Sequence, residues 1–296
     1  MRHSAARAAA SLGTLALAAL LRAQMPAAPA TPAEPGLLFY LSGEKGTTAE
    51  VAAPGTAEPT FVSEVKPIAD GAKGAALECG DYQRLAWRAP GNIYAQRGTL
   101  SFFWRSRYPV GPTEFPVFRV GFADHSSWDM VWLRIDYNGH GFDAFVTDAS
   151  LSRVRVSVPV APFPDPKTWT HLALAWDETS GIRFYVNGKL AGENQTPAVL
   201  NVALDQFGPH SRVISPYQVQ SDYNFTRGGD VDEIRIYDRA LDGSAISALA
   251  TTGAPVIAAA PARSLADPIT RAEWYLRYGF NRPNDPPPEL RRPNGG

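Results

Sequence analysis

The chain has 296 residues, of which 45% are hydrophobic and 19% are charged, and its formal net charge is −1 at pH 7. Neither charge sign forms a long run, so the composition argues against a nucleic-acid partner and against a polybasic membrane-binding surface. The one cysteine, Cys79, has no partner for an intrachain disulfide. We therefore expect a domain stabilised by its own apolar core, with Cys79 as a small buried residue.

The start of the chain has the pattern of an export signal followed by a linker. Arg2, His3 and Arg7 precede an apolar run at residues 8–21, which is shorter than the ~20 residues needed to cross a bilayer. We predict a signal peptide at residues 1–23, with an uncleaved membrane anchor as the alternative. Residues 24–35 (QMPAAPATPAEP) predict a Pro/Ala linker. Because no later stretch is long and apolar enough to span a membrane, we expect no transmembrane segment in the mature chain. The signal peptide predicts a secreted, periplasmic or cell-surface location after its cleavage.

Short segments with a period of two recur from Gly36 onward, as expected for β-strands whose side chains alternate between two faces. These segments lie at residues 37–41, 100–104, 117–122, 130–137, 142–147 and 153–158. In the last of them, valines alternate with arginine and serine, which is typical of a strand with one wet face. About ten to twelve strands and a single helix candidate favour a β-sandwich.

The clearest structural signal is the stretch at residues 169–190 (WTHLALAWDETSGIRFYVNGKL). Its first half alternates over eight residues and predicts a half-buried strand, and a second alternating segment follows the turn at residues 177–181. Asn187-Gly188 then predicts a type I′ turn, because both residues tolerate a positive φ. We expect three consecutive antiparallel strands here. The residues predicted to lie in the core are Leu172, Leu174, Trp176, Phe184 and Val186.

A further strand and the helix candidate close the domain. At residues 231–238 the alternation predicts that Asp232 shares a face with Ile234 and Ile236. The helix is predicted at residues 244–249, after the capping sequence Asp-Gly-Ser. Beyond residue 253 the composition changes to a Pro-rich linker and tail, residues 254–296, which either docks on the sandwich or begins a further, truncated module.

Several motifs, in this order along the chain, resemble those of the laminin-G-like, concanavalin A-like jelly-roll domains. They are G-A-A-L-E-C-G-D-Y at residues 74–82 with G-T-L-S-F-F-W at 98–104, W-T-H-L-A-L-A-W-D at 169–177 with F-Y-V-N-G-K at 184–189, and G-D-V-D-E-I-R-I-Y-D-R-A-L at 229–241. The resemblance covers residues 36–253. It implies an all-β fold, a two-sheet antiparallel jelly-roll sandwich with one short C-terminal helix. It leaves the activity open, because such folds host many unrelated functions.

A calcium site is also implied by this resemblance. Members of the family often bind one Ca²⁺ at the rim of the sandwich, through an aspartate and backbone carbonyl oxygens. Asp232 stands at the position of that aspartate, with the Gly80-Asp81 turn opposite it. The chain departs from the family pattern at Cys79, since an aspartate commonly precedes the glycine of that turn. The alternative is that Asp232 only caps a turn.

Catalytic motifs are not evident. A jelly roll that cleaves polysaccharides would carry paired carboxylates in a pattern such as E-x-D-x-x-E, which does not occur here. The nearest acidic sets are Asp124/Asp129 and Asp230/Asp232/Glu233. A lyase would need arginine, histidine and tyrosine side chains that converge, for which the candidates are Arg134, Tyr137, His140 and His171. Because a glycine-rich phosphate loop and a nucleophile elbow are also missing from the sequence, we assign no catalytic residue.

Exposed aromatic rings in loops are the best candidates for ligand binding, because such rings stack on the apolar faces of sugars. The candidates are Trp128, Tyr94, Tyr217 and Tyr223, the last two in a long loop expected at residues 207–229. We predict an exported, non-catalytic recognition module that binds a polysaccharide or a cell-surface glycoconjugate. A polysaccharide-active hydrolase or lyase on the same fold, and a structural spacer in a larger surface protein, are the alternatives.

Overall fold

A computed structural model of the chain describes residues 34–52, 55–59, 61–79, 84–89, 91–106, 115–122, 131–148, 152–159, 168–198, 200, 212–217 and 229–251. These residues belong to a compact unit that begins at Glu34. They form sixteen β-strands and one α-helix. No helix among them has the length and apolar character needed to cross a membrane.

The elements are numbered in chain order. They are β1 (Leu37–Leu41), β2 (Val51–Ala52), β3 (Phe61–Ser63), β4 (Lys66–Ile68), β5 (Ala76–Cys79), β6 (Arg84–Arg88), β7 (Arg97–Ser106), β8 (Phe115–Phe122), β9 (Val131–Tyr137), β10 (Gly141–Thr147), β11 (Arg153–Pro159), β12 (Thr170–Asp177), β13 (Gly181–Val186), β14 (Lys189–Asn194), β15 (Arg212–Tyr217), β16 (Gly229–Tyr237) and α1 (Gly243–Thr251). Every strand expected from the sequence is present. Strand β5 lies within the motif at residues 74–82, which resembles an early strand of the family. Strands β2, β3, β4, β6 and β15 add to the expected set, because their segments are too short or too polar to show a clear alternation.

The strands form two antiparallel sheets, which confirms the predicted β-sandwich. The first sheet has the order β14-β13-β12-β7-β16-β1-β2, and β5 joins it by pairing with both β16 and β4. The second sheet has the order β11-β10-β9-β8-β15-β6-β3. Neighbouring strands in these sheets are often distant in the chain, as β7 and β16 are. The first sheet is therefore complete only when the last strand, β16, pairs with β7 and β1.

The hairpin between β13 and β14 has the turn that the sequence predicts. Asn187 has a φ of 50° and Gly188 a φ of 75°, as a type I′ turn requires. The Asn187 side chain accepts a hydrogen bond from the backbone N–H of His171 at 2.9 Å and so fastens the turn to β12. A Cβ atom at Gly188 would lie 2.9 Å from Cβ of Ala250 in α1, so the turn also needs glycine in order to pack against the helix.

The main core lies between the two sheets and is built from alternate residues of their strands. Trp176 of β12 lies on Trp132 of β9 with edge-to-face geometry and a centroid distance of 5.4 Å. The largest fully buried side chains include Trp87, Trp104, Trp176, Phe39, Phe102, Phe118, Phe142 and Phe184. Of the predicted core residues, only Val186 is half-buried instead of buried, because it lies at the end of β13 next to the turn.

A second apolar cluster covers the opposite side of the first sheet. Ala245, Ile246 and Leu249 of α1 pack on residues of β12, β13 and β16 that point away from the main core. The helix begins where the sequence predicts, since Asp242 Oδ1 accepts the N–H of Ala245 at 2.8 Å and caps it. Strand β12 is therefore buried on both faces, whereas its alternation alone predicts a half-buried strand.

A β-bulge in β16 changes the face of Asp232. Val231 and Asp232 pair with Trp104 and Phe103, but the register then shifts before Arg235 pairs with Ser101. Glu233 has a φ of 54°, which is uncommon for a residue other than glycine. The prediction that Asp232 shares a face with Ile234 and Ile236 is wrong for this reason. Asp232 points out of the sandwich, while the two isoleucines point into its core.

Replacing Trp176 tests the register of the central hairpin. The side chain is fully buried, and its Nε1 donates a hydrogen bond to the carbonyl of Tyr94 at 3.1 Å. We expect Trp176→Ala to lower the free energy of unfolding by about 3–5 kcal/mol, because it removes apolar contacts and leaves a cavity. Trp169→Ala is the matched control, since Trp169 lies just before β12 outside the core. Urea denaturation measures both effects, and an equal midpoint for the parent and Trp176→Ala would contradict this packing.

Candidate functional site

The outer face of the first sheet is largely closed by the chain's own residues. Beside α1, Arg235 forms ion pairs with Glu233 and Glu34, and the Tyr40 hydroxyl donates to Glu233 Oε1 at 2.9 Å. The Arg235 guanidinium also stacks over the Tyr40 ring, 4.2 Å from its centroid. The side chains of Arg235, Glu233 and Glu34 are only 6%, 7% and 9% exposed. This network therefore holds the sheet together and presents little to a ligand.

Asp232 lies at the edge of this network, beneath the segment at residues 70–75. Its Oδ2 accepts the N–H of Lys73 at 2.8 Å, whereas its Oδ1 is buried and has no hydrogen-bond partner among the described residues. Burial raises the pKa of Asp232 to about 7, against the backbone N–H of Lys73, which lowers it. A buried carboxylate oxygen without a partner is the kind of donor that a hard cation such as Ca²⁺ uses.

The remaining ligands for such a cation cannot be assigned from the described part of the chain. Within it, no three histidine, cysteine, aspartate or glutamate residues come close enough together to hold a metal ion. The predicted partners of Asp232, Gly80 and Asp81, lie outside the described residues. Asp232 also has a structural role, because its bond to Lys73 ties the segment at residues 70–75 to β16.

The other acidic residues of β16 are bound to arginines. Asp230 Oδ2 pairs with Arg105 Nη2 at 2.8 Å, and the same guanidinium pairs with Asp70 at 2.8 Å. Arg105 also lies over the Trp169 ring, 4.6 Å from its centroid. Since Glu233 is bound to Arg235 in the network described above, β16 does not present a pair of available carboxylates. Asp124 and Asp129 lie outside the described residues.

The residues considered for a lyase do not converge. Tyr137 is buried in the core between the sheets, and His140 is exposed in the turn after β9. His171 lies beneath the outer face of the first sheet, where its Nε2 is 2.9 Å from Ser101 Oγ. Burial lowers the pKa of His171 to about 3, so its imidazole is neutral near pH 7. Arg134 lies on the other sheet.

The outer face of the second sheet carries a row of three arginines and one phenylalanine that crosses four strands. Arg119 of β8 pairs with Arg134 of β9, Arg134 with Phe145 of β10, and Phe145 with Arg155 of β11. We call Arg119, Arg134, Phe145 and Arg155 the arginine row. The Phe145 ring is fully buried beneath guanidinium groups, those of Arg134 and Arg155 lying 5.2 and 5.5 Å from its centroid. The Arg155 side chain is 44% exposed, so the row reaches solvent at the β11 edge.

Two aspartates lie beside the arginine row. Asp136 of β9 is directly opposite Asp143 of β10. Arg134 Nε donates to Asp136 Oδ2 at 2.7 Å, and Asn138 Nδ2 donates to Asp143 Oδ1 at 2.9 Å. The second oxygen of Asp136, Oδ1, is buried and has no hydrogen-bond partner within the described residues. The side chains of Arg134 and Asp136 are only 13% and 14% exposed, and Asp143 Oδ2 lies 3.8 Å from Arg155 Nη1.

Burial and neighbouring charges shift the ionisation of two of these groups. Burial, helped by the charge of Arg134, lowers the pKa of Arg119 to about 10. Burial raises the pKa of Asp136 to about 6, although Arg134 opposes this. Both shifts reflect the burial of these side chains, since Arg119 is only 3% exposed and the Asp136 side chain only 14% exposed.

Two of the four aromatic residues predicted to bind a ligand lie within the described residues. Tyr94 is half-buried, and its carbonyl accepts the Trp176 indole N–H. Tyr217 is the last residue of β15, where it pairs with Leu85, and not part of the long loop expected at residues 207–229. Trp128 and Tyr223 lie outside the described residues. None of these four aromatics belongs to the arginine row.

The arginine row itself was missed by the sequence analysis. The alternation of valine with arginine in β11 gives Arg155 an outward position, and Leu133 and Ile135 in the core require Arg134 and Asp136 to face outward. The signal for each strand is therefore present in the sequence. The register that places Arg119, Arg134 and Arg155 side by side depends on the pairing of four strands, which alternation does not determine.

Solved structures with the same fold include two binding domains. The binding domain of Paraclostridial Mosquitocidal Protein 1 matches with a TM-score of 0.55 and 14% identity, over 74% of this chain and 52% of that one. The botulinum neurotoxin type G receptor binding domain matches with a TM-score of 0.54 and 10% identity, over 74% and 51%. The chain thus spans about half the length of these two binding domains.

A third structure is matched over almost its whole length. Domain 4 of an extracellular arabinanase from Geobacillus stearothermophilus, in complex with arabinotriose, matches with a TM-score of 0.52 and 16% identity, over 72% of this chain and 98% of that domain. At such identities these likenesses show a shared fold. No curated protein sequence matches the chain significantly.

The family comparison agrees with the fold. A family model described as the concanavalin A-like lectin/glucanases superfamily matches residues 80–247, which is more than half of the chain. The matched region begins just after β5 and ends within α1, so it contains strands β6 to β16, which belong to both sheets. The chain therefore belongs to the concanavalin A-like lectin/glucanases superfamily.

Proposed function

We propose that the chain is an exported recognition module that binds a polysaccharide or the glycan of a cell-surface glycoconjugate. The observation that carries this proposal is the set of charged side chains on the outer face of the second sheet. These side chains do not contribute to the apolar core. The described outer face of the first sheet is instead occupied by α1 and by the Arg235 network. The arabinotriose complex of the arabinanase domain supports the proposal, since that domain shares this fold and is bound to an oligosaccharide.

A polysaccharide hydrolase is the second candidate, and one observation favours it. Asp136 and Asp143 are directly opposite each other on neighbouring strands. The pKa of Asp136 is raised to about 6. Retaining glycosidases use two carboxyl groups that lie about 5 Å apart, one of them with a raised pKa. Against this role, Asp136 and Asp143 are already hydrogen-bonded to Arg134 and Asn138, which reduces their availability as acid and nucleophile.

Binding to soluble polysaccharides tests the proposed function. We expect the full chain to be retarded in gels that contain a bound polysaccharide, without release of reducing ends from it. A set of neutral and acidic polymers serves as the probe, and serum albumin is the control for non-specific retardation. Failure to bind any of them would contradict the proposal. Reducing ends released by the parent and lost in Asp136→Asn would favour the hydrolase instead.

Calcium is proposed as a ligand of the folded chain through Asp232. Metal that binds only the folded state stabilises it by RT ln(1 + [L]/Kd), or about 2.7 kcal/mol at a hundredfold excess over Kd. We expect EDTA to lower the thermal midpoint of the parent relative to millimolar Ca²⁺, and Asp232→Asn to abolish the difference, because the amide lacks the charge that a divalent cation needs. Asp143→Asn, on the other sheet, should keep the response. If the thermal midpoint of the parent is the same with EDTA and with Ca²⁺, calcium does not bind the folded chain, and Asp232 only accepts the hydrogen bond from Lys73.

Export is the third part of the proposal. If residues 1–23 form a signal peptide, exported protein begins at Gln24, because the signal peptidase removes the apolar segment. N-terminal sequencing of protein recovered outside the cytoplasm measures this directly. Leu17→Arg places a charge in the apolar run and should prevent export. Exported protein that begins at Met1 would contradict the predicted cleavage.

A further inference from the structure

We propose that Asn138, in the turn between β9 and β10, is a self-modification site. Its side-chain amide is lost as ammonia in water, the residue becomes aspartate or isoaspartate, and the product destabilises the β9–β10 hairpin. The inference is independent of the proposed function, since it concerns a reaction of the chain with itself. It rests on the dipeptide Asn138-Gly139 and on the hydrogen bonds that hold the Asn138 side chain.

The reaction takes place within one dipeptide and consumes one water molecule. The backbone nitrogen of Gly139 attacks Cγ of Asn138 and forms a C–N bond, its proton passes to the side-chain nitrogen, and that nitrogen leaves as ammonia. Water then opens the resulting five-membered imide at either of its two carbonyl carbons, which gives aspartate or isoaspartate. Glycine favours the attack, because it has no Cβ atom beside the attacking nitrogen.

The turn activates the carbonyl group that is attacked. Oδ1 of Asn138 accepts the backbone N–H of His140 at 3.0 Å and that of Gly141 at 2.8 Å. Negative charge develops on this oxygen when the nitrogen adds to Cγ, and two N–H donors aimed at such an oxygen stabilise it. The Gly139 nitrogen donates no hydrogen bond among the described residues, so its attack does not break one.

Asp143 determines which way the amide points. Asn138 Nδ2 donates to Asp143 Oδ1 at 2.9 Å, so the amide nitrogen lies toward β10 and the amide oxygen toward the two N–H groups. The backbone N–H of Asn138 also donates to the carbonyl of Gly141 at 2.9 Å and closes the turn. Because the side chain is held in this orientation, its oxygen keeps both donors while the reaction begins.

Another Asn-Gly pair, Asn187-Gly188, lacks this arrangement. Asn187 Oδ1 accepts a single N–H from the described residues, that of His171 at 2.9 Å. The pair forms the type I′ turn between β13 and β14, and Gly188 packs against α1, where an added Cβ would lie 2.9 Å from Cβ of Ala250. An attack by the Gly188 nitrogen would disturb this packing. The same dipeptide in the same chain is therefore an internal control.

Modification of Asn138 would weaken the hairpin. In aspartate an oxygen replaces Nδ2, so a carboxylate would face Asp143 Oδ1 where the parent has a hydrogen bond. Like charges on neighbouring strands repel, and the pair also loses its donor. Isoaspartate adds one carbon atom to the backbone of the turn as well, which disturbs the pairing of Tyr137 with Phe142. The reaction thus exchanges an attraction for a repulsion at one end of β9.

Peptide mapping by mass spectrometry tests the site. The full chain is stored at neutral pH, either folded or in guanidinium chloride, and the loss of each amide is followed with time. In the folded chain we expect Asn138 to react about tenfold faster than Asn187, as expected for one more donor to the developing oxyanion. In the denaturant we expect equal rates, because both residues are then in a flexible chain. Equal rates in the folded chain, faster reaction of Asn187, or a tenfold difference that persists in the denaturant would overturn the site.

Two variants test the consequence for the hairpin. Asn138→Asp imitates one product, and we expect it to lower the thermal midpoint by about 2–4 °C. The double variant Asn138→Asp/Asp143→Asn restores a donor and an acceptor with their roles exchanged and should recover most of this loss. Asn187→Asp is the matched control, because a carboxylate oxygen there still accepts the N–H of His171. An unchanged midpoint in Asn138→Asp, an equal loss in Asn187→Asp, or no recovery in the double variant would overturn the inferred destabilisation.

Discussion

Strand β7 lies in the middle of the first sheet and is hydrogen-bonded to β12 on one side and to β16 on the other. Its inward residues, Leu100, Phe102 and Trp104, form the centre of the main core. Its outward residue Phe103 pairs with His171 of β12 and with Asp232 of β16. At Gly98 the strand has no room for a side chain, because a Cβ atom there would lie 2.3 Å from the Trp176 ring. The two sheets can close on each other only if these pairings hold.

The charged side chains on the two outer faces of the sandwich differ in their burial and in their partners. On the first sheet, Arg235 and its two glutamates are almost fully buried and bound to one another, so desolvation is offset within the protein itself. On the second sheet, Arg119 and Arg134 lie opposite each other, Arg134 is hydrogen-bonded to Asp136, and Arg155 forms an ion pair with Asp143 at 3.8 Å. Arg119 is only 3% exposed, whereas the Arg155 side chain is 44% exposed, so the charges of this face meet solvent at its β11 edge.

The sequence predicted the fold more fully than the site, and the reason is physical. Alternation reports which residues of one strand share a face, so the core positions Trp176 and Phe184 and the Asn187-Gly188 turn were predicted correctly. It failed at Asp232, because one residue with a positive φ, Glu233, reverses the faces that follow. It also missed the arginine row, since a site that spans four strands depends on their mutual register.

The pairing of the first and closing strands also determines how the domain would respond to a pulling force. Leu37, at the start of β1, lies opposite Tyr237, at the end of β16. A force that separates the two ends of the domain would first pull on α1, and once the helix is detached it would break the hydrogen bonds between β1 and β16 one after another, starting at Leu37 and Tyr237. Glu34 accepts a hydrogen bond from the Tyr237 hydroxyl and pairs with Arg235 at that same end. After α1 is detached, these contacts would carry the load before the β1–β16 hydrogen bonds do.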